Sequence, residues 1–386
     1  MTPPSIRIIG AGLSGLTLGQ CLRRRNVSAV IYDHVKKDPT RNNYGITLYK
    51  STYKPLLDIL QISEDDFRRQ VGVQHPDSGA VVSDGQKLRV NRAALTNLLE
   101  SDLDVRNEHK FMSNLDVRKE HKFTNVVSTV QPENNSSRYV SIKTGTEVRT
   151  DEFNLLVAAD GVHSAVRSWL NLSKPAFDLE VLPYIVYNGK RRMAYSNLPS
   201  GLLDCFANPD GIRHSQKGVL LTIKADFWDP DQQTVAVSYT LSRVALKADQ
   251  PKLDRHYGAA WWLAMRYVEE VASLGPLPAP FDGVFNEETM KEDRLLHWLM
   301  RSSLVDDKTI NDTALNRGIV LLGDAAHAQP IPGNGANLAI DDALELTKHI
   351  SATGDVDIAA FLKARRQAWV DGKRESEHAL VGLDLW

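Results

Sequence analysis

The chain has 386 residues, enough for one large domain or two ordinary ones with a substantial hydrophobic core. Hydrophobic residues account for 42% and charged residues for 24%, and the formal net charge of −2 gives no basic field for nucleic acid. There are two distant cysteines outside any CxxC pattern, and no apolar run approaches ~20 residues. These features predict a cytoplasmic protein without a metal site or a membrane span.

A buried strand, a glycine-rich turn and a helix are predicted at the amino end of the chain. Gly10, Gly12 and Gly15 match the GxGxxG pattern of dinucleotide-binding proteins. Gly10 makes the turn, Gly12 lets the backbone approach a pyrophosphate, and Gly15 lets the helix pack closely on the strand. The first two helical residues join them as candidate cofactor contacts, Leu13 and Ser14. The pattern alone fits NAD as well as FAD.

The second predicted strand ends in an acidic residue. Asp33 follows Gly15 by 18 positions, a spacing that puts its carboxylate near a ribose hydroxyl. Two later segments, around Gly45 and around Arg92, cannot be identified as cofactor contacts from their positions alone. An arginine at a predicted helix start, for example, is usually just solvated.

Residues 103–123 contain an internal repeat with a period of 12 residues, Leu103–Phe111 followed by Leu115–Phe123. That period is too short for a solenoid unit, and two copies cannot form an array. We expect a local duplication in which one copy forms a strand and the other a surface loop. Each copy carries one histidine, but no further ligands follow at metal-binding spacing, so no metal site is predicted.

Another strand-to-helix turn is predicted at residues 154–167. A short apolar strand leads to Asp160 and Gly161, and Ser164 follows as a preferred amino-terminal cap of the next helix. Taken alone, this segment is one more turn of an α/β sheet, so its meaning depends on the other motifs of the chain.

Between about residues 176 and 285, β-rich runs separated by turn residues predict an antiparallel sheet inserted into the dinucleotide domain. Arg191 is the candidate catalytic residue of this sheet. Alternation puts it on one face with Met193 and Tyr195, a semi-apolar face that we expect to point into a substrate pocket. A guanidinium there could bind a phenolate or carboxylate through two hydrogen bonds. An arginine at the rim of the sheet is an equally good interpretation.

The most informative segment is residues 318–343. A short apolar strand ends at Gly323-Asp324, a Pro/Gly loop follows, and a helix opens at about Ala336. A helix amino terminus presents unpaired N–H groups and a partial positive charge, so it stabilises an anion in front of it. An aspartate after a strand can accept hydrogen bonds from sugar-like hydroxyls. These parts suit a cofactor with a polyol chain and a ring that becomes anionic on reduction, which is a flavin.

With the three turns present in this order, the chain resembles the single-component, aromatic-hydroxylase-type (group A) flavoprotein monooxygenases, especially fungal members of secondary metabolism. The resemblance covers about residues 5–175 and 285–355. It implies an α/β fold with a Rossmann-like FAD-binding domain and an inserted antiparallel β-sheet domain for the substrate. The expected division is 1–175 and 286–386 for the FAD-binding domain and 176–285 for the substrate domain.

In that family, the three turns line one FAD. The resemblance implies that Asp324 holds the ribityl chain, that Asp160 lies near the pyrophosphate and that Arg92 reaches the cofactor. The chain at Gly45 would pass near the flavin. The loop and helix start beside the ring add further candidate contacts, Pro332, Gly333, Gly335, Ala336 and Asn337.

The resemblance also implies non-covalent FAD, NADPH or NADH as a transient co-substrate, and dioxygen that adds at the flavin 4a carbon. The hydroperoxide would hydroxylate or epoxidise a small organic substrate, such as an aromatic compound, a polyketide or another secondary metabolite. No second GxGxxG occurs downstream, which suits a nicotinamide that binds only transiently. The oligomeric state stays open.

One departure from the family pattern keeps alternatives open. His327 and Asn337 lie 10 positions apart, one fewer than is usual in the family, and a shorter loop could reshape the pocket beside the flavin. The alternatives are a flavoprotein oxidase or cyclase of the same fold and a degenerate flavin-binding protein without turnover. The intact Asp160, Asp324 and fingerprint glycines argue against the second.

Overall fold

The protein is described by a computed structural model that covers residues 5–36, 42–101, 116–130, 136–171, 180–246, 249, 260–330, 334–352 and 355–381. Its two largest layers are a parallel sheet and an antiparallel sheet, each of five strands. The α/β fold class that the sequence predicts, with a separate antiparallel sheet, is confirmed.

The parallel sheet is assembled from five distant parts of the chain. Its strands are β1 (Ile6–Ile9), β2 (Ala29–Tyr32), β5 (Asp116–Arg118), β9 (Leu155–Ala158) and β15 (Ile319–Leu321). They lie in the order β15-β9-β1-β2-β5. The strands β9 and β15 are buried throughout, which explains why both are continuous apolar runs rather than alternating ones.

Helices cover this sheet and its surroundings. They are α1 (Leu13–Arg24), α2 (Lys50–Leu60), α3 (Glu64–Val71), α4 (Arg92–Glu100), α5 (Ala165–Asn171), α9 (Asp307–Arg317), α10 (Asp324–His327), α11 (Gly335–Lys348) and α12 (Ile358–Val381). The first helix, α1, packs against α11 from the other end of the chain. That contact brings the glycine-rich turn and the Gly-Asp turn to one side of the parallel sheet.

Two smaller β structures flank the parallel sheet. One is the antiparallel pair β3 (Gly45–Tyr49) and β4 (Lys87–Asn91), and the other is a three-stranded sheet of β6 (Lys122–Val130), β7 (Ser136–Thr144) and β8 (Glu147–Phe153). The pair β3–β4 contacts both α11 and the large antiparallel sheet. It therefore lies where the two halves of the molecule meet.

The large antiparallel sheet has the strand order β11-β12-β13-β10-β14. Its strands are β10 (Glu180–Ala194), β11 (Ile212–Gln216), β12 (Val219–Asp229), β13 (Thr234–Val244) and β14 (Arg294–Ser302). Three helices pack with one of its faces in a shared core, α6 (Ala260–Leu274), α7 (Phe281–Val284) and α8 (Glu287–Met290). Since β14 belongs to this sheet, the sheet continues beyond residue 285, where the sequence predicts the end of the substrate domain.

The two copies of the repeat have different outcomes. The second copy contributes β5, which pairs in parallel with β2 at the edge of the sheet. The first copy lies outside the described residues.

Among the residues that the structure describes, no helix is long and apolar enough to cross a membrane, and no three His, Cys, Asp or Glu side chains cluster as metal ligands.

Candidate active site

Packing requires glycine at two positions of the first turn. Gly10 has a φ of +106°, and a Cβ atom there would lie 2.3 Å from the carbonyl oxygen of Ala159. A Cβ atom at Gly15 would lie 2.0 Å from the carbonyl oxygen of Gly10. Gly12 differs, because its Cβ atom would come no closer than 3.8 Å to any neighbouring segment that the structure describes. It would enter open space in front of α1, which is where a bound pyrophosphate needs room.

The start of α1 is open to an anion. No side chain caps its N–H groups, and Leu13 and Ser14 are buried in its first turn. Asp33 closes the turn from the end of β2, since its carboxylate accepts hydrogen bonds from the N–H of Ala11 at 2.7 Å and of Val35 at 2.8 Å. An anion in front of α1 would therefore meet unpaired N–H groups and the positive end of the helix.

Asp160 caps the start of α5. One carboxylate oxygen accepts hydrogen bonds from the N–H of Ala165 at 2.7 Å and of Val166 at 3.3 Å, while the Ser164 hydroxyl accepts one from the N–H of Arg167 at 2.9 Å. The other oxygen, Oδ1, is buried without a partner in the described part of the chain. Burial also raises the pKa of Asp160. A buried oxygen in this state is one that a bound ligand can satisfy.

Arg167 joins two of the three turns, a role that the sequence did not reveal. Its guanidinium donates to the carbonyl oxygens of Asp324 at 2.9 Å and Ala325 at 3.1 Å, and also to that of Val162. Asp324 and Ala325 follow Arg167 by more than 150 positions, so no local sequence pattern connects them with it. Arg167 therefore fixes the distance between the two aspartate-containing turns.

Asp324 lies beside the start of α11. A Cβ atom at Gly335 would lie 3.3 Å from Asp324 Oδ1, so the carboxylate and the helix start approach closely. Burial raises the pKa of Asp324, and the charges of His327, Arg92 and Arg167 partly oppose that shift. The Asp324 side chain thus lies near basic side chains and next to the helix start that the sequence assigned to the flavin.

The first turn of α11 offers free donors. The first intrahelical hydrogen bond runs from the N–H of Leu338 to the carbonyl oxygen of Asn334, and the Asn334 side chain forms no cap. The preceding N–H groups, those of Gly335 and Ala336, are left for a ligand or solvent. Two further predicted contacts, Pro332 and Gly333, lie outside the described residues.

A fully buried carboxylate supports the Gly-Asp turn from behind. Asp342 on α11 accepts hydrogen bonds from His327 Nε2 at 2.6 Å, Gly323 N–H at 2.9 Å, Trp369 Nε1 at 2.7 Å and Arg365 Nε at 2.8 Å. Burial alone would raise the pKa of Asp342, but the charge and hydrogen bond of His327, with the other donors, lower it to about 2. His327 therefore has a structural role, since it contacts the same carboxylate that binds the N–H of Gly323 in the turn.

Asn337 does not present its side chain to a ligand. Its Oδ1 accepts a hydrogen bond from the N–H of Tyr49 at 2.8 Å, and its Nδ2 donates to the carbonyl oxygen of Thr47 at 3.0 Å. The residue is only 3% exposed. The side-chain amide of Asn337 therefore joins α11 to β3, and the predicted contact of this residue with the cofactor stays a prediction for its backbone N–H. Only its backbone N–H can face the cofactor.

Arg92 and Gly45 lie at the junction of β3 and the antiparallel sheet. The Arg92 guanidinium lies 5.3 Å from the centre of the Tyr44 ring and donates to its hydroxyl, while its Nε is buried without a partner among the described residues. Gly45 donates its N–H to Asp226 Oδ1 at 2.8 Å, and a Cβ atom there would lie 2.5 Å from the carbonyl oxygen of Ala225. Glycine is therefore needed where β3 meets β12.

A cavity of about 730 Å³ lies between β3, the start of α11, α12 and one face of the antiparallel sheet. The sheet contributes a polar wall to it, which includes Asn188, Lys190, Lys224, Ser238 and Thr240. We call this cavity the sheet pocket. Its volume suits a drug-sized organic molecule.

The prediction that Arg191 points into the pocket is wrong. Arg191 donates to Asp293 Oδ2 through Nη2 at 2.6 Å and Nε at 2.8 Å, and it lies against the Tyr239 ring on the face that packs with α6, α7 and α8. The apolar face of a sheet is the one that other elements cover, so sharing a face with Met193 puts Arg191 under these helices. Its neighbour Lys190, on the opposite face, lines the pocket.

The comparisons with known proteins agree with this geometry. Residues 4–183 match the FAD binding domain family. The chain is 27% identical to the FAD-dependent monooxygenase adaC of Aspergillus niger, over 93% of this chain and 87% of that one. It is also 27% identical to the FAD-dependent monooxygenase aptC of Emericella nidulans, over 90% and 86% of the two chains. Over most of its length, the chain is thus similar to fungal FAD-dependent monooxygenases.

Two solved structures share the fold of this chain. The 2,6-dihydroxypyridine-3-hydroxylase from Arthrobacter nicotinovorans superimposes with a TM-score of 0.65 at 15% identity, over 99% of this chain and 91% of that one. Klebsiella pneumoniae HpxO, complexed with FAD and uric acid, gives a TM-score of 0.61 at 16% identity, over 98% and 87%. FAD is the cofactor, and the open start of α1 and the unpartnered Asp160 and Arg92 atoms fit a bound dinucleotide.

Proposed function

We propose that this enzyme uses NADPH or NADH and dioxygen to hydroxylate or epoxidise a small organic substrate, such as an aromatic compound or polyketide. The observation that carries the proposal is the sheet pocket. It adjoins the start of α11 on one side and the polar face of the antiparallel sheet on the other. An organic molecule bound there would lie between the FAD-binding half of the protein and the inserted sheet.

The cofactor contacts that we propose follow from the groups left open in the structure. The N–H groups at the start of α1, with Gly12 beside them, would bind the pyrophosphate, and Asp33 would contact the ribose. The ribityl chain would be held by Asp324, with Arg92 near the cofactor on the side of β3. Asp160 would complete the set with its unpartnered oxygen.

Bound FAD would supply the redox chemistry, which is to accept a hydride from the nicotinamide and to activate dioxygen as an electrophilic oxygen donor. The N–H groups of Gly335 and Ala336 would stabilise negative charge on the reduced ring. The inserted sheet would exclude water and position the substrate. A reducing cytoplasm would provide the nicotinamide, and the two cysteines, Cys21 and Cys205, are free thiols in keeping with that compartment.

The similar fungal proteins are themselves named FAD-dependent monooxygenases. On that basis we propose a secondary metabolite as the substrate. An oxidase or cyclase of the same fold would use the same cofactor site, so the fate of oxygen must separate these activities.

The test is to purify the protein, measure its FAD content and follow NADPH and NADH oxidation under ¹⁸O₂ with a panel of aromatic and polyketide compounds. A monooxygenase incorporates one labelled oxygen atom into the product, and its substrate accelerates NAD(P)H oxidation. Substrate oxidation without label, with hydrogen peroxide as the sole product of oxygen, would identify the oxidase alternative. Stoichiometric FAD without turnover on any compound would favour a degenerate flavin-binding protein.

A further inference from the structure

The sheet pocket is lined by more cations than carboxylates. Its described lining contains two acidic residues, Asp210 and Glu375, and five basic ones, Lys87, Arg89, Lys190, Arg213 and Lys224. Lys87 forms an ion pair with Asp210, and Arg89 forms one with the buried Asp226. Lys224 differs from both, because it forms no ion pair or hydrogen bond with any residue that the structure describes.

The position of Lys224 is fixed by the sheet. It pairs in register with Ser238 on β13, and Ser238 in turn pairs with Lys190 on β10. The two lysines therefore flank Ser238 on the same face of three adjacent strands. The stem of Lys224 passes close over Gly211, where a Cβ atom would lie 2.7 Å from Lys224 Cγ. The ammonium group is thus carried on a packed stem into the pocket wall.

The surroundings of Lys224 disfavour its charge. Burial lowers its pKa to about 8, and the positive charges of Arg89 on β4 and Arg213 on β11 act in the same direction. The negative charges of Asp210 and Asp226 oppose the shift but do not cancel it. Three other lining residues carry charge, namely Lys87 from β4, Lys190 from β10 and Glu375 from α12. A cation held in this way gains more from an incoming anion than one already paired in the protein.

We propose that Lys224 determines substrate specificity by binding an anionic oxygen of the substrate, either a carboxylate or the ionised hydroxyl of an acidic phenol or enol. This inference rests on the proposed function, which makes the sheet pocket the substrate site. Lys190 and Arg213 would add to the positive field on either side. Neutral molecules of the same shape would lack the interaction and would leave the Lys224 ammonium without a partner.

The test uses FAD-loaded enzyme and two probes of nearly equal shape, 2-naphthoate and its neutral amide, 2-naphthamide. Their binding is measured by the change in flavin absorbance or fluorescence. At pH 7 we expect 2-naphthoate to bind at least about tenfold more tightly than the amide, because a charge-assisted contact in a desolvated site is worth more than a neutral one. Lys224→Met should abolish this preference, because it should weaken the binding of 2-naphthoate and leave the binding of 2-naphthamide unchanged.

Two further variants control the test. Lys224→Arg keeps the charge and should keep the preference for 2-naphthoate. Lys143→Met removes one positive charge from an exposed position on β7 and should leave the Kd of both probes unchanged. If Lys143→Met weakens 2-naphthoate as much as Lys224→Met does, the effect is one of net charge and the proposal is overturned.

The pH dependence separates the two sources of the anion. A carboxylate is ionised from about pH 6 to about pH 10, so 2-naphthoate should bind less tightly as pH rises through the Lys224 titration and should not do so in Lys224→Arg. A phenol must first ionise, so 2-naphthol should bind most tightly at an intermediate pH. If the enzyme prefers 2-naphthoate and 2-naphthol shows no such optimum, the substrate is a carboxylate. A bell-shaped dependence of 2-naphthol affinity on pH identifies an acidic phenol or enol instead.

Equal affinity for 2-naphthoate and 2-naphthamide would overturn the inference. So would a changed flavin reduction potential in ligand-free Lys224→Met, because the lysine would then contact the cofactor rather than the substrate. If the wild-type protein binds no FAD, the proposed function itself is contradicted, which is a different result from failure of the Lys224 inference. FAD content and probe affinity are therefore read separately.

Discussion

Gly10 and Gly12 lie two positions apart, yet the space around them gives them different roles. Gly10 is required by the fold, since its Cβ atom would overlap the backbone at Ala159. Gly12 has an ordinary extended conformation and open space in front of it. The same sequence pattern therefore contains one glycine that serves the protein's own packing and one that leaves room for the cofactor.

This difference gives a matched pair of variants. Gly12→Val should fold with nearly wild-type thermal stability as apoprotein but should not retain FAD, because the new side chain fills the place of the pyrophosphate. Gly10→Val should lose more than about 3 kcal/mol of stability, or fail to fold, because a positive φ and a backbone clash add together. The measurements are the FAD-to-protein absorbance ratio and calorimetry of the apoproteins. A yellow, stoichiometric Gly12→Val protein would contradict the assignment of the pyrophosphate site.

At the scale of elements, α10 and α11 are held by the buried Asp342 and its four donors. One carboxylate thus orients the histidine of α10, the backbone at the Gly-Asp turn and two side chains of α12. The pKa of Asp342 is depressed, so the stabilisation it gives is complete above its ordinary pKa near 4 and is lost as pH falls through about 2.

We expect Asp342→Asn to lower the free energy of unfolding at pH 7 by about 2 kcal/mol, the order of magnitude that the lowered pKa of Asp342 implies. The difference from wild type should shrink as pH falls from about 4 towards about 2, where the wild-type carboxylate becomes neutral as well. Urea denaturation across this pH range measures both quantities. Asp231→Asn, at an exposed turn, is the control and should track wild type throughout. A constant difference between Asp342→Asn and wild type would mean that ionisation of Asp342 does not stabilise the turn.

The sequence predicted which segments form secondary structure better than it predicted which face of the antiparallel sheet a side chain lies on. The antiparallel sheet and the Ser164 cap follow from local apolar patterns and turn residues, and both appear in the structure. Arg191 failed because the alternation in β10 separates two faces but does not say which one is covered by helices. Arg167 could not be found, because the carbonyls it binds are near it only in the folded chain. Lys224 resembles any strand lysine until the sheet pocket in front of it is seen.

At the scale of the whole molecule, the FAD-binding half and the inserted sheet are joined by a buried polar contact. Arg89 on β4 donates to the carbonyl oxygen of Ala225 at 2.8 Å and pairs with Asp226 at 3.4 Å. Asp226 also accepts hydrogen bonds from the N–H of Gly45 and the hydroxyl of Ser238. Both charged residues are almost fully buried, so each depends on the other for compensation.

We expect Arg89→Met to destabilise the protein by about 3–5 kcal/mol, because Asp226 would remain buried without its cation. Adding Asp226→Leu should recover part of that loss, since the uncompensated charge is removed. Chemical denaturation of the two single variants and the double variant measures the coupling. Arg149→Met, which removes one half of an exposed ion pair, should change stability by no more than about 1 kcal/mol. Strictly additive losses in the double variant would show that the two residues do not act as a pair.

The packing of α1 against α11 has a consequence for how the protein is made. The first helix leaves the ribosome early, but its partner begins only at Gly335, about 310 residues later. At the slow end of synthesis, ~5 residues per second, the apolar surface of α1 stays without this partner for about a minute. During that time, the nascent chain has no complete cofactor groove, so FAD cannot aid folding until translation is nearly finished. Protection by a chaperone is therefore most needed on the amino-terminal segment, well before the large antiparallel sheet has been translated.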